Sequence, residues 1–311
     1  MPELPEVTTT VNGLNKTIKG LVISNVWTDL AKENPIKQFE GTIKSKKFFT
    51  KFKKEIIEQK VIKSERKAKN ILIYLSNNKI ILIHLKMTGH LLYGKYEYSK
   101  KENKWIPHKK ERESLKDSYN RFIHVVFEFS NGKHLVFCDS RKFGKVTLLE
   151  KDGLEKSLHL KNLGPEPLEK SFTFENFKER LYTQPNKNIK TVLMDQSIIS
   201  GIGNIYSDEM LWMTGIHPNS HPIAIPIPKL RLLYKSMRDI LNKSIIFKGD
   251  SMSDYRNING EKGEFQNHHS VYQRKGEGCI KKGCKGVIIR KVINSRSSHF
   301  CNSCQKLFRY V

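Results

Sequence analysis

The sequence predicts a multidomain α+β protein, on three observations. Segments of alternating apolar residues lie before residue 150, and apolar residues at helical spacing dominate from 171 to 247. Four of the five cysteines fall within the last 33 positions. A chain of 311 residues has room for two or three units, each large enough to bury a core.

The first unit, 1–150, reads as a mostly β domain with a helix packed on its sheets. Leu4, Val7, Val11 and Leu14 recur at intervals of three and four, which predicts a helix over 4–18. Strands are expected at 20–27, 42–52, 60–65, 70–75, 79–85, 122–129 and 134–139. Asn131-Gly132 joins the last two as a hairpin turn. Between them, 94–121 is rich in Lys and Glu and reads as a surface excursion. Gly164, Pro165 and Pro167 mark a linker over 151–170. A helical domain over 171–270 follows, with helices at 172–182, 189–196, 204–214 and 228–247. Pro228 suits a first helical turn, and Leu230, Leu233, Met237, Ile240 and Leu241 form the apolar stripe. The Gly- and polar-rich stretch 248–270 reads as a mobile loop. A short β-like module closes the chain at 271–311.

Charge narrows the partner. Lys and Arg number 56 against 31 Asp and Glu, a formal charge of +25. That excess points to a polyanion. No apolar run approaches the roughly 18–20 residues of a membrane span, so no membrane partner is expected. The acidic opening, Met-Pro-Glu-Leu-Pro-Glu, lacks the apolar core of a secretion signal, which argues for an intracellular chain.

Without a secretion signal the clustered cysteines read as metal ligands and not as disulfides. Cys279-x4-Cys284 and Cys301-x2-Cys304 are two pairs separated by 16 residues. Four thiolates satisfy tetrahedral Zn²⁺ and leave no open coordination position, so one structural Zn²⁺ is expected. A 41-residue module has too small a core to fold unaided, and metal binding would contribute folding energy. The same module carries ten Lys and Arg against one acid, Glu277, a local charge of +9. A stapled hairpin with that charge suits nucleic acid.

Several stretches then occur in a specific order: MPELPEV at the start, RKAKNILIYL at 66–75, HLKMTG at 84–89, DSRKFG at 139–144 and NLGPEPL at 162–168. They continue as LMDQSIISGIGNIYSDEMLWMTGIHP at 193–218, VYQRKGEGC at 271–279 and HFCNSCQ at 299–305. This set resembles the formamidopyrimidine-DNA glycosylases over almost the whole chain. The resemblance implies an N-terminal β-sandwich, a helix–two-turn–helix domain and a C-terminal β-hairpin zinc finger. It implies base excision repair of oxidised purines (8-oxoguanine and formamidopyrimidines) in duplex DNA, followed by β,δ-elimination at the abasic site. It further implies a monomer, a bacterial cytoplasmic or nucleoid-associated setting, and no organic cofactor.

The chemistry of the opening residues fits. Removal of Met1 would leave Pro2 as a terminal secondary amine, nucleophilic when neutral, with a reference pKa of roughly 8. Attack at deoxyribose C1′ expels the base and yields an iminium ion that acidifies C2′–H. Glu3 adjoins the nucleophile and suits proton transfer. Glu6 shares its face of the helix and can orient the amine or its water. By resemblance, Lys69 contacts the phosphate beside the lesion and serves the lyase steps. Met87, Arg141 and Phe143 fill the space left by an extruded nucleotide, whose extrusion costs a few kcal/mol. Asn204 at a helix start and Lys190 on the preceding helix are phosphate contacts, and Arg296 is the finger arginine linked to δ-elimination. His124 is a further DNA contact, although Phe122 stands where a DNA-contacting His is common.

Other departures concern the first cysteine pair, whose four-residue spacer demands an enlarged knuckle, and the lesion-recognition loop. There KGDSMSDY, 248–255, carries Ser253 in place of the usual basic residue. Thr8 replaces a further acidic position.

Overall fold

A computed structural model describes residues 1–252 and 254–309. Its contacts divide the chain into two compact units, 1–161 with 247–264, and 162–246 with 265–309. The division by sequence character at 150, 170 and 270 is therefore not the division by packing. The 247–264 return belongs with the first unit, and the cysteine module with the helices.

In the first unit, helix α1 (Leu4–Thr17) precedes strand β1 (Ile23–Thr28) and helix α2 (Lys46–Ile56). Strands β2 (Val61–Lys67), β3 (Asn70–Leu75), β4 (Lys79–His84) and β5 (His90–Gly94) follow. The small hairpin β6 (Tyr96–Ser99) and β7 (Lys104–Pro107) leads to β8 (Ile123–Phe129), β9 (His134–Cys138) and β10 (Lys145–Glu150). Two four-stranded sheets result, ordered β1-β8-β9-β5 and β10-β4-β3-β2, every pairing antiparallel. Alternate residues of both sheets meet in one core. Val125, Phe127, Leu135 and Phe137 come from one sheet, and Ile71, Ile73, Ile81 and Ile83 from the other. Val7, Val11, Leu14 and Ile18 add the apolar face of α1 to it. This is the expected β-sandwich with its packed N-terminal helix.

Three expectations change. Residues 42–52 do not form a strand. Ser45 caps a helix by accepting the Phe48 N–H, and Phe48, Phe49, Phe52 and Ile56 lie on its inward face. Strands β5, β6, β7 and β10 are additional to those expected, because their turns carry no Asn-Gly or Pro signal. The 94–121 excursion is ordered on the outer face of the β1-β8-β9-β5 sheet. There Tyr96 and Leu115 bury against Leu92, Val126 and Val136, with Trp27 and Trp105 at the margin.

The loop 247–264 is not mobile in character. Its neck closes where Glu264 N–H donates to the Phe247 carbonyl at 2.8 Å. Ile258 is buried in the sandwich core, and its carbonyl accepts the Tyr93 N–H at 2.9 Å. Ser253 lies outside the described residues.

The second unit holds α3 (Phe174–Tyr182), α4 (Ile189–Met194), α5 (Asn204–Thr214) and α6 (Ile227–Ile246). Its hairpin is β11 (Ile288–Ile293) and β12 (Arg296–Cys301). Thr173 and Asn176 form a capping box at the start of α3, and Gly215 ends α5 in the left-handed region. Among the described residues no helix is long and apolar enough to cross a membrane.

If the loop shares the core, Ile258→Ala removes a buried side chain and lowers unfolding stability by about 2–4 kcal/mol in a urea titration. A loss under about 0.5 kcal/mol, the range of ordinary surface substitutions, would show a loop that only rests on the surface.

Candidate nucleic-acid interface and active centre

The start of α1 assembles the first part of the site. Pro2, Glu3 and Glu6 are all buried. Glu3 is the N-cap in extended conformation and Glu6 the third helical residue, a capping box built from two carboxylates. The Glu3 N–H donates to Glu6 Oε2 at 2.7 Å. The other oxygen, Oε1, accepts the Asp250 N–H at 2.8 Å. Gly249 makes this approach possible. Its φ is +85°, and a Cβ there would lie 2.9 Å from the Glu6 side chain. The Tyr255 hydroxyl donates to the Glu6 carbonyl at 3.0 Å, and burial beside Glu6 pushes that phenol up. The Pro-Glu-Leu-Pro-Glu opening is thus held from both sides, by its own helix turn and by the 247–264 loop.

Lys69 sits in the tight β2–β3 turn and is buried; Ala68 before it takes a φ of +53°. Asn70 pairs with His84 across the sheet, and Lys145 pairs with His84 on the other side. The result is a group of ammoniums around one imidazole. Burial and the nearby Lys86, Lys69 and Lys145 pull His84 down to about 3, so it is neutral at pH 7. Its Nδ1 accepts the Lys86 N–H at 3.0 Å. Lys145 is lowered by burial and by Lys86, and contacts His159 Nδ1 at 3.0 Å. Lys44 is lowered mainly by burial and donates to the Lys142 carbonyl at 2.7 Å. Sequence reading singles out Lys69 alone here. His84 and Lys86 stand in the HLKMTG stretch, but only the strand register reveals that they converge with Lys69 and Lys145.

Met87 and Phe143, both on loops, are 40% and 49% exposed. The Arg141 guanidinium lies over the Phe143 ring at 4.7 Å. Asp139, assigned no role from sequence, organises both loops. Its carboxylate accepts the Thr88 hydroxyl beside Met87, the Arg141 N–H at 3.3 Å and the Gly144 N–H at 2.6 Å. Met87, Arg141 and Phe143 are therefore carried on two turns joined by one buried acid.

His124 is corrected. It is buried, with Nδ1 2.9 Å from Asp29 Oδ2 and Nε2 enclosed without a partner, so neither nitrogen is presented to DNA.

In the second unit Asn204 opens α5 behind Gly203, and its Oδ1 is enclosed without a hydrogen-bond partner. Lys190 is corrected as well. It is 1% exposed, pairs with Asp208 at 2.7 Å and donates to the Ser297 carbonyl at 2.9 Å. A strut of this kind cannot reach a phosphate. It instead fixes the turn beside Arg296, as does the Asn294 amide on Thr191 Oγ1 at 2.9 Å. Arg296 itself is exposed at the hairpin tip. Glu209 accepts the N–H groups of Ser270, Val271 and Tyr272 at 2.9 Å each, tying α5 to the cysteine module.

The four Sγ atoms of Cys279, Cys284, Cys301 and Cys304 lie within 4.8 Å of one another. The closest pairs are Cys284–Cys301 at 3.6 Å and Cys279–Cys304 at 3.8 Å. A tetrahedral Zn²⁺ with bonds of about 2.3 Å requires sulfur separations of roughly 3.8 Å. N–H groups of Gly286, Ser303 and Cys304 and the Trp212 indole point at these sulfurs, as thiolates require. The donor set fits a closed tetrahedral metal centre. The wide first knuckle closes through the Cys284 N–H on the Lys281 carbonyl and the Cys279 N–H on the Gly286 carbonyl, each at 2.9 Å.

Comparison with known proteins agrees along the whole length. Residues 1–146 match the formamidopyrimidine-DNA glycosylase N-terminal domain model, and 163–256 match the corresponding H2TH domain model. A formamidopyrimidine-DNA glycosylase of Pelotomaculum thermopropionicum is 35% identical over 307 residues, 99% of this chain and 100% of the relative. The Lactococcus lactis Fpg in complex with abasic-site DNA superposes with a TM-score of 0.80 at 28% identity, covering 98% of this chain and 99% of that one. A mutant of the same L. lactis protein, bound to DNA containing Fapy-dG, gives a TM-score of 0.81 at 28% identity, covering 98% and 100%. Two domain models and full-length relatives thus span the buried acid pair, the two loops that expose Met87 and Phe143 and the four-cysteine centre, and this chain belongs to the formamidopyrimidine-DNA glycosylase family.

Proposed function

We propose that the chain excises oxidised purines, 8-oxoguanine and formamidopyrimidines, from duplex DNA and then cleaves the abasic site. Family membership supports the bifunctional glycosylase and abasic-site lyase activity. The single observation that carries the assignment of residues is the buried Pro2-Glu3 turn framed by the Glu6 carboxylate.

After removal of Met1 the neutral Pro2 nitrogen attacks C1′ of the damaged nucleotide. The C1′–base bond breaks, and its electron pair leaves with the base, which is protonated. Glu3 donates a proton to O4′, the sugar ring opens, and loss of the amine proton gives a Pro2–C1′ iminium. The iminium draws electrons from C2′–H. Loss of that proton expels the 3′ phosphate, and a second elimination expels the 5′ phosphate. Lys69 and Arg296 hold phosphate through these steps, with Asn204 as a further contact. Met87, Arg141 and Phe143 occupy the space of the extruded nucleotide, the first and last by stacking and Arg141 by bonding the orphaned base.

Cys279, Cys284, Cys301 and Cys304 would hold one Zn²⁺, which would supply folding energy to the finger and no chemistry, since four protein ligands leave no open position. We place the four thiolates, and not a ligand pocket, as the reason this basic hairpin keeps Arg296 at its tip.

Borohydride reduction during turnover on an 8-oxoguanine duplex should trap a covalent protein–DNA adduct through Pro2 in Met-processed chain. Chain that retains Met1 should give none, and equal trapping by both would remove Pro2 as the nucleophile. Chelation of the finger metal should lower duplex affinity by at least tenfold while leaving the thermal unfolding of the β-sandwich in place. Unchanged affinity after confirmed metal loss would separate the finger from DNA binding.

A further inference from the structure

Arg256 has no place in the chemistry above, yet its side chain is among the largest fully buried in the molecule, at 1% exposed. It lies on the 247–264 loop. Its guanidinium reaches Asp117 Oδ2 from Nη2 at 3.2 Å and from Nε at 3.4 Å. It covers the Tyr119 ring at 4.7 Å, and Nη1 donates to the Tyr255 carbonyl at 2.9 Å. Asp117 and Tyr119 belong to the lysine-rich excursion, which lies between the motifs at 84–89 and 139–144.

A second link runs beside the first. The Ser114 hydroxyl donates to the Asn259 carbonyl at 2.7 Å. Gly260, with φ +81°, packs so closely that a Cβ would lie 2.5 Å from the Ser114 carbonyl oxygen. That carbonyl accepts the Asn120 amide at 2.8 Å, and Asn120 Oδ1 meets His90 Nε2 on β5 at 2.9 Å. The excursion is thus tied to the sheet on one side and to the loop on the other.

The loop reaches the active centre through the residue next to Arg256. Tyr255 offers its carbonyl to Arg256 and its hydroxyl to the Glu6 carbonyl. Five residues earlier, the Asp250 N–H meets Glu6 Oε1. Asp254 lies 3.4 Å from Ser140 Oγ in the DSRKFG turn. A shift of Arg256 therefore displaces groups that touch both the acid pair and the filler turn.

We propose that residues 108–121 brace the 247–264 loop through the Arg256–Asp117 pair, making Arg256 and Asp117 positioning residues for base excision. The proposal rests on the glycosylase reading above. Its physical basis is pre-organisation: a loop already seated on Glu6 costs no ordering when the damaged base enters. Burying a guanidinium without its carboxylate is strongly unfavourable, so the pair fixes one arrangement of the loop. Cleavage of a ready-made abasic site seats no base, and it depends less on the brace.

The test compares two duplexes, one carrying 8-oxoguanine and one a preformed abasic site, in single-turnover assays. The double variant Asp117→Leu with Arg256→Met removes both charges and keeps apolar volume, which preserves folding. Its base excision should fall at least tenfold, with abasic-site cleavage and duplex affinity within about twofold of wild type. Arg256→Lys, which keeps the charge without the fork, should fall in between. Should the double variant fail to fold, Arg256→Lys carries the expectation alone, as a loss of about threefold on the 8-oxoguanine duplex only. Equal losses on both duplexes, or no loss on either, overturn the brace. A wild-type chain inactive on both duplexes overturns the glycosylase reading itself.

Discussion

The Glu6 carboxylate is the contact on which the arrangement of the first unit's N-terminal turn depends. One of its oxygens accepts the Glu3 N–H and the other the Asp250 N–H. The first bond closes the helix turn that carries Pro2 and Glu3. The second seats a loop drawn from 244 residues further along the chain. A carboxylate is the side chain that can accept two such donors with charge to spare, whereas an amide offers one acceptor only. Helix capping and active-centre assembly are one interaction here, and the dipole at the start of α1 favours the same negative charge.

Electrostatics elsewhere follows from what surrounds each cation. Lys69, Lys86 and Lys145 gather about a neutral His84, and burial lowers both Lys145 and Lys44, each of which also feels Lys86. Lys190, equally basic by sequence, is neutralised by Asp208 and works inside the protein. The lysines thus divide between a cluster gathered about one neutral imidazole and struts that hold the frame. The contribution of a lysine to binding is decided by its counter-charge, not by its count.

Much of the fold was legible because it rests on local signals. The α1 stripe, the Asn131-Gly132 hairpin and the cysteine spacing each carry their reason within a few residues. In the 42–52 segment Phe48, Phe49 and Phe52 suit a strand by type and a helix by spacing, and the Ser45 cap settles it. Lys190 and His124 were misplaced for a different reason: their partners, Asp208 and Asp29, lie 18 and 95 residues away. Arg256 carries no sequence signal for the same cause, its partner Asp117 lying 139 residues away. The loop looked mobile by composition, yet Ile258 and Tyr255 anchor it through contacts no window of sequence contains.

Glu6 holds the Pro2-Glu3 turn and the 247–264 loop in one arrangement. Glu6→Gln tests it most directly, because the amide can accept only one of the two N–H donors and leaves the other buried without a partner, at about 1–3 kcal/mol. Single-turnover excision of 8-oxoguanine is the measurement, with duplex affinity determined alongside. That double role predicts excision at least a hundredfold slower, with affinity within about threefold of wild type. Excision at the wild-type rate would contradict it.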